Sequence, residues 1–425
     1  MTEQLTRVVV NTEGRFALWP AVRAVPRGWR EALAPASREA ALAHVEANEK
    51  ALRPRRALPA SSKQPETMAP APASKTKTMD FSLMFFGCDE GDAAREKYEM
   101  VIAASRFADE HGFAGVWAPE RHFTRMGSLY PNPAVLHAAI ARETKRIRLR
   151  SGSVVAPLHH PLRIAEEWAV VDNLSNGRVE LSFAPGWNPG DFAFHPERYA
   201  DRYAILYSTI EQVKKLWAGE MMDVTDGEGK PSRVRTYPTP VQKRLTLWIT
   251  AAGSERSFQQ AGSAGCHLLT HLFDQDIETL TSKVKLYRQA RASAGLDPST
   301  GRVAVTLHTY VGESMEEVRS QVRGPYGDYL KSNLGLLEKL AASRGIPLEL
   351  NRLQPEEMSL AIEWIFEKFL KQRSMMGTPE SCVELVEKVR EADVQEVACL
   401  IDFGPSPTAV LESLPRLARV AERFR

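Results

Sequence analysis

Cysteine is scarce in this 425-residue chain: Cys88, Cys266, Cys382 and Cys399 are its four, and no two are spaced as CxxC. That scatter argues against a zinc site and against a disulfide framework, leaving buried free thiols as the expectation. An excess of one charge is also missing. The 55 Lys and Arg residues against 53 Asp and Glu leave +2, so neither nucleic acid nor an anionic membrane is an expected partner. No apolar run approaches the ~20 residues that cross a bilayer. The opening MTEQLTRVVVNTEGRF has neither the basic start nor the apolar core of a secretory signal, and a cytoplasmic location is the expectation. No internal repeat is evident.

What is present is an ordinary globular composition, 43% apolar and 25% charged, long enough for one large domain and a small one. The two are separated by residues 55–79, RRALPASSKQPETMAPAPASKTKTM, which has almost nothing to bury and reads as a linker. Before it, TRVVV and RFALW are strands flanking the turn signal NTEG. SREAALAHVEANEKA then reads as a helix, with Ser37 as N-cap and Ala41, Leu42 and Val45 as its apolar stripe. A core this small is marginal alone. Trp19 and Trp29 are available to a partner.

After the linker, short apolar strands alternate with longer amphipathic helices. FSLMFF, GVWAP, IRLRSGSVV, VELSFAPG, LTLWITAAG, HLLTHL, RVAVTLHTYV and ACLIDFG are the strands. Helices such as REKYEMVIAASRFADEHG and PLRIAEEWAVVDNLS lie between several of them. This alternation predicts a parallel sheet closed as a (β/α)8 TIM barrel. A doubly wound open sheet fits less well, because no GxGxxG follows the first strand.

Barrel chemistry sits at the carboxyl ends of the strands. That rule gathers Glu120-Arg121-His122, Ser151-Gly152-Ser153, Pro185-Gly186-Trp187 and Ala251-Ala252-Gly253-Ser254 at one rim, with His271, His308 and Asp402. In AAGSERS, the amides at a helix start and the Ser254 hydroxyl suit either a phosphate or a plain N-cap. Arg202 is either a countercharge or a surface arginine. His122 is either a proton donor governed by Glu120 or Arg121, or a satisfied loop histidine. Trp187 either walls a planar ligand or packs, and Trp117, Trp168 and Phe183 read as core. His159-His160-Pro161 resembles half a metal site but has no carboxylate at ligand spacing, so no metal is expected.

The order of these stretches is more specific than any one of them. WAPERHF…PNP, LRSGSVVAPLHHPLRIAEEWAVVDNLSNGR, SFAPGWNPGDF, the helix around Arg202 and TAAGSERSF resemble the bacterial luciferase-like flavin monooxygenases over about residues 79–425. More narrowly they resemble the branch serving polyketide and nonribosomal peptide biosynthesis. The resemblance implies a barrel that binds reduced FMN and oxygenates a substrate with dioxygen through a flavin 4a-peroxide. It implies that Gly253 and Ser254, in the small-residue turn with Ala252, hold the FMN phosphate with Arg202 as countercharge. It also implies that Gly152–Ser153 is a non-proline cis peptide against the flavin, with Gly186 and Trp187 at the same rim. Luciferases carry Glu-His-His-Phe where this chain has Glu120-Arg121-His122-Phe123. The histidine essential to their aldehyde reaction becomes Arg121, which argues against light emission and leaves His122 as the leading catalytic candidate. Asp191 matches an aspartate near the flavin.

Residues 6–56 resemble the MbtH-like proteins, partners of adenylation domains in nonribosomal peptide synthetases, through VVVNTEGRFALWPAVRAVPRGW and a closing LRP. The resemblance implies a small α+β domain, a three-stranded sheet plus helix. It implies a docking slot formed by Trp19 and Trp29, with Leu18 and Pro20 in the same motif. Glu49 replaces a third tryptophan, and Ala36 and Ala41 stand where Gly and Cys are usual, so docking is implied more firmly than activation. The expected organisation is 1–58 MbtH-like, 59–78 linker and 79–425 barrel. The expected function is oxygenation of an acyl or aminoacyl group on a carrier protein. A separate NAD(P)H flavin reductase would supply reduced FMN, since no nicotinamide fold is recognisable, and family analogy allows a homodimer. Three other readings stay open: N- or C-hydroxylation of a free small amine or amino acid, an adenylation-domain chaperone with a vestigial barrel, and a deazaflavin-dependent oxidoreductase.

Overall fold

A computed structural model describes residues 6–11, 16–21, 25, 29–37, 40, 44, 78–88, 94–125, 127–273, 275–332 and 355–425. The chain forms two compact units, Met1–Ala73 and Ser74–Arg425.

The first unit is an antiparallel sheet of β1 (Thr6–Asn11), β2 (Phe16–Pro20) and β3 (Trp29–Ala36), in the order β2-β1-β3. Central β1 buries Val8, Val9 and Val10, and its register sets Arg7 opposite Trp19 and Asn11 opposite Trp29. The residue pattern alone stops at GWRE and does not show β3. WREALAPA has little intrinsic strand preference and forms one by pairing with β1, and its edge position tolerates Pro35. The third strand agrees with the resemblance. Leu18, Trp19 and Pro20 lie in β2, and Trp29 is half-buried. Ser37 Oγ accepts from the Ala40 amide at 3.3 Å, as a helix N-cap does; most of the helix expected beyond it, and the linker, lie outside the described residues.

The second unit contains eight parallel strands closed on themselves: β4 (Asp80–Met84), β5 (Gly115–Ala118), β6 (Arg148–Val155), β7 (Val179–Ala184), β10 (Thr246–Thr250), β11 (His267–His271), β12 (Val303–Val311) and β14 (Glu396–Leu400). β14 pairs with β4 and β11 with β12, so the barrel has no free edge between these strands. All eight correspond to strands expected from the sequence. Helices α1 (Ala94–Glu110), α2 (Pro133–Glu143), α3 (Pro161–Ser175), α4 (Arg202–Trp217), α5 (Glu255–Ser263), α6 (Ile277–Ser293), α9 (Pro379–Glu391) and α10 (Pro407–Glu422) are the outer helices. Their starts are locally encoded. Asn132, Ser254, Asp276, Thr378 and Ser406 each accept a backbone amide of the next turn through their side chains.

Three additions were not anticipated. A hairpin, β8 (Met222–Thr225) with β9 (Pro231–Val234), follows α4. α7 (Met315–Ser332) and α8 (Pro355–Gln372) follow β12, and a short β13 (Met375–Gly377) pairs with the far end of β12. Among the described residues, no helix is long and apolar enough to cross a membrane.

The barrel's interior is polar near the amino ends of its strands. Arg150 donates to Glu180 at 2.8 Å and to Glu396 at 2.6 Å, while Trp248 donates to Glu180 and Trp117 to Ser82. Met84, Trp117, Trp248, Leu269, Ala304, Ala398 and Leu400 close over this network as an apolar layer. Trp117, Trp168 and Phe183 are core, as expected; of the four thiols Cys266, Cys382 and Cys399 are buried, whereas Cys88 is only half-buried.

Candidate active site

Glu120, just past β5, is buried and has both carboxylate oxygens occupied. Oε1 receives His122 Nε2 at 2.9 Å and His159 Nε2 at 2.6 Å, and Oε2 accepts from the Val155 amide at 2.7 Å. Burial alone would raise this acid, but those donors outweigh it and hold the carboxyl below its ordinary value. Burial alone would lower His159, but the bond to Glu120 and its charge outweigh it and raise the imidazole above the ordinary histidine value. His159 lies in the His159-His160-Pro161 stretch, where no metal is expected from the sequence. It is a second partner of Glu120, a link between β5 and the turn after β6 that no local pattern encodes.

Arg121 does not govern His122. It turns away and donates to Asp191 at 2.9 Å, with its guanidinium 4.6 Å from the Trp187 ring and a second bond to Thr124. Asn188 holds the other Asp191 oxygen at 2.8 Å. Burial shifts both members toward neutrality, lowering Arg121 and raising Asp191, so the pair is bought against desolvation. Two glycines make the arrangement possible. Gly127 has φ +71° and lies where an added Cβ would sit 2.5 Å from Arg121 Cγ. Gly186 has φ +77°, with Phe192 and Val155 atoms at 2.8 and 2.9 Å from an added Cβ.

On the neighbouring strands, the Gly152–Ser153 peptide is cis, where the resemblance places one. Ser153 Oγ bonds Thr250 Oγ1 at 2.7 Å, and Thr250 Oγ1 lies 2.8 Å from Ser182 Oγ, giving a row of hydroxyls across β6, β7 and β10. Trp187 is 44% exposed, and Phe123 and Phe194 flank His122 as a partly exposed aromatic lip.

The turn after β10 exposes Ala252 and Ser254 and half-buries Gly253. Ser254 caps α5, accepting from the Ser257 amide at 3.2 Å. Arg202 opens α4, lies over the Tyr199 ring, donates to the Tyr199 carbonyl, and keeps a buried Nε without a hydrogen-bond partner. Tyr207 of α4 reaches Gln260 of α5 at 3.4 Å, so the two helices are neighbours. No bond joins Arg202 to Ser254. The Glu120, Arg121, His122 and Asp191 group is brought together, the α4–α5 group is a second cluster, and Asp402 belongs to a third. Asp402 accepts from the Phe86 and Gly87 amides and from Tyr130, and burial pushes it up to about 6.

A closed parallel barrel with a cluster of titratable groups at its carboxyl rim is the architecture of a (β/α)8 enzyme. Residues 79–396 match the luciferase-like monooxygenase family, and the chain belongs to that family of flavin-dependent monooxygenases. Residues 3–60 match the MbtH-like proteins. The chain is 25% identical over 339 residues to the oxygenase component of a flavin-dependent trigonelline monooxygenase from Acinetobacter baylyi, covering 76% of this chain and 88% of that one. It is 24% identical over 300 residues to the 4-hydroxyprotoasukamycin monooxygenase of Streptomyces nodosus, covering 68% and 76%. The oxygenating constituent of 3,6-diketocamphane monooxygenase from Pseudomonas putida, solved with FMN, shares the fold with a TM-score of 0.66 at 20% identity, over 82% of this chain and 99% of that one.

Proposed function

We propose that the barrel binds reduced FMN and, with dioxygen, oxygenates an acyl or aminoacyl group tethered to a carrier protein of a nonribosomal peptide or polyketide synthetase. In this reading residues 1–58 dock an adenylation domain through Leu18, Trp19, Pro20 and Trp29, residues 59–78 are the tether, and a separate flavin reductase supplies reduced FMN. The observation that carries it is the union in one chain of a luciferase-like barrel with an MbtH-like segment. Such a union raises the local concentration of the tethered substrate without any new contact.

The residues present fit FMN. The α5 amino terminus and the Ser254 hydroxyl suit a phosphate, and Arg202 has a buried, unpaired Nε on the neighbouring helix. The Gly152–Ser153 stretch with its hydroxyl row supplies hydrogen-bonding groups for a heteroaromatic edge. Reduced FMN supplies the electrons that activate dioxygen, one oxygen atom going to the substrate and the other to water. The protein's own part is positioning and proton control. Glu120 accepts from His122 Nε2 and so fixes that nitrogen as the protonated one, leaving Nδ1 to exchange a proton with the reacting groups. Arg121, held by Asp191 and lying over Trp187, lines the same rim on the side away from His122. Phe123 and Phe194 shield His122 from water.

The test is to load a carrier domain with an aminoacyl group, add this chain, FMN, a flavin reductase and NADPH, and record the intact mass of the carrier. A gain of one oxygen on the tethered form, reduced at least tenfold when residues 1–58 are deleted, is the expected result. Equal oxidation of free and tethered substrate would replace this reading with a free amine or amino acid. Loss of every activity on deletion, with none from the barrel, would make the chain an adenylation-domain chaperone.

A further inference from the structure

One carboxylate oxygen serves two imidazoles. Glu120 Oε1 accepts from His122 Nε2 at 2.9 Å and from His159 Nε2 at 2.6 Å, while Oε2 is taken by the Val155 amide. An ionised carboxylate only accepts, so both Nε2 atoms carry hydrogen and the two rings compete for the charge of one oxygen. The shorter bond belongs to His159, which the proton exchange assigned to His122 leaves without a task. Arg198 donates to the Pro157 and His159 carbonyls at 3.0 and 3.3 Å and so holds the turn that carries this ring.

The three side chains differ in their access to water. Glu120 is 1% exposed, His122 10% and His159 28%. His122 lies beside the Phe123 and Phe194 rings of the aromatic lip. His159 instead borders a small cleft of about 10 Å³, the scale of one water, with Glu120, Asn132, Glu167 and Trp168. Burial and Arg198 oppose a charge on His159, whereas the bond and charge of Glu120, with Glu167 beyond it, favour one and prevail. Asp191, already paired with Arg121, is the further acid within electrostatic reach of His122.

Resting on the reading of His122 as the residue that exchanges protons with the reacting groups, we propose that His159 is a positioning residue. It sets how readily His122 takes up a proton by competing for Glu120 Oε1, so that solvent acts on a shielded histidine through an exposed one. A donor on Oε1 draws negative charge away from the other bond, and a cationic donor draws more than a neutral one. With His159 protonated, His122 faces a largely compensated carboxylate, and its Nδ1 stays open to accept. With His159 neutral, the full carboxylate charge falls on His122 and favours a second proton on that ring. The two imidazoles therefore titrate as a coupled pair, although His159 touches no reacting atom.

The experiment compares the full chain with His159→Gln, which keeps a donor that cannot titrate, and with His159→Leu, which removes the donor. Histidine ring signals of the isotope-labelled, flavin-free chain are followed by NMR against pH, and the signal lost in His122→Gln identifies His122. Its midpoint should rise by about half a unit in His159→Gln and by about one unit in His159→Leu. With FMN, a flavin reductase and the loaded carrier, the limb of the turnover profile that His122 governs should move by the same amount. That is about tenfold in rate at a fixed pH on that limb for His159→Leu. An unmoved His122 midpoint in both variants overturns the proposal and leaves the oxygenation reading in place. A loss of turnover that is equal at every pH overturns it too, since that is the mark of a merely structural histidine. A moved midpoint in a chain that oxygenates nothing supports the coupling and removes the oxygenation reading on which its role rests.

Discussion

Both oxygens of Glu120 are taken, so exchanging it for an amide has a defined effect. Glu120→Gln removes the negative charge that His159 and His122 both face and frees the tautomer of His122. Turnover should fall about 100-fold, within the range assigned to positioned acid–base groups. FMN affinity should change less than threefold, which stopped-flow and fluorescence titration together would show. Its titration also has a sign. The folded carboxyl lies below its ordinary value, so its stabilisation is present above the unfolded value and lost as pH falls through the folded one. Asp402 has the opposite sign. Raised from 3.8 to about 6, it binds its proton more tightly in the folded protein, so its contribution is complete below the unfolded value and is lost as pH rises through about 6. That loss, up to about 3 kcal/mol, should vanish in Asp402→Asn when urea unfolding at pH 4 and pH 7.5 is compared. Gly186→Ala places a methyl group against Phe192 and Val155 at positive φ and should cost about 1–3 kcal/mol in the same assay.

Among the elements, the eight barrel strands were legible because each is a short apolar run bounded by a helix or a turn. The cluster at their carboxyl ends was legible through topology. What was not legible depends on distance across the barrel. His159 meets Glu120 across 39 residues, and PLHHP contains nothing that distinguishes a carboxylate partner from a metal. Arg121 was placed at the rim, but its pairing with Asp191 rather than with His122 is set by the loop that Gly186 turns. The hairpin of β8 and β9 could have been found from DGEG between two alternating runs. The short β13 could not, since MMG becomes a strand only beside β12. The polar floor was equally hidden, because Arg150, Glu180 and Glu396 occupy strands far apart in sequence. Arg150→Met removes the buried cation that Glu180 and Glu396 share, leaving each only the partly exposed Arg148 or Arg302, and should destabilise the barrel by about 3 kcal/mol, measured by thermal or urea unfolding.

For the whole molecule, the barrel's seam has a consequence in time. β4 pairs with β14, and Asp402 clamps Gly87 across 315 positions of chain. Contacts so remote in sequence form late, because a long loop must close first. In chain order, β1–β3 all precede the first stave of the barrel, β4. The oxygenating half becomes competent only after its last strand emerges. The unit proposed above to dock a partner is thus the first part of the chain to be made, and the strand that closes the oxygenating barrel is the last.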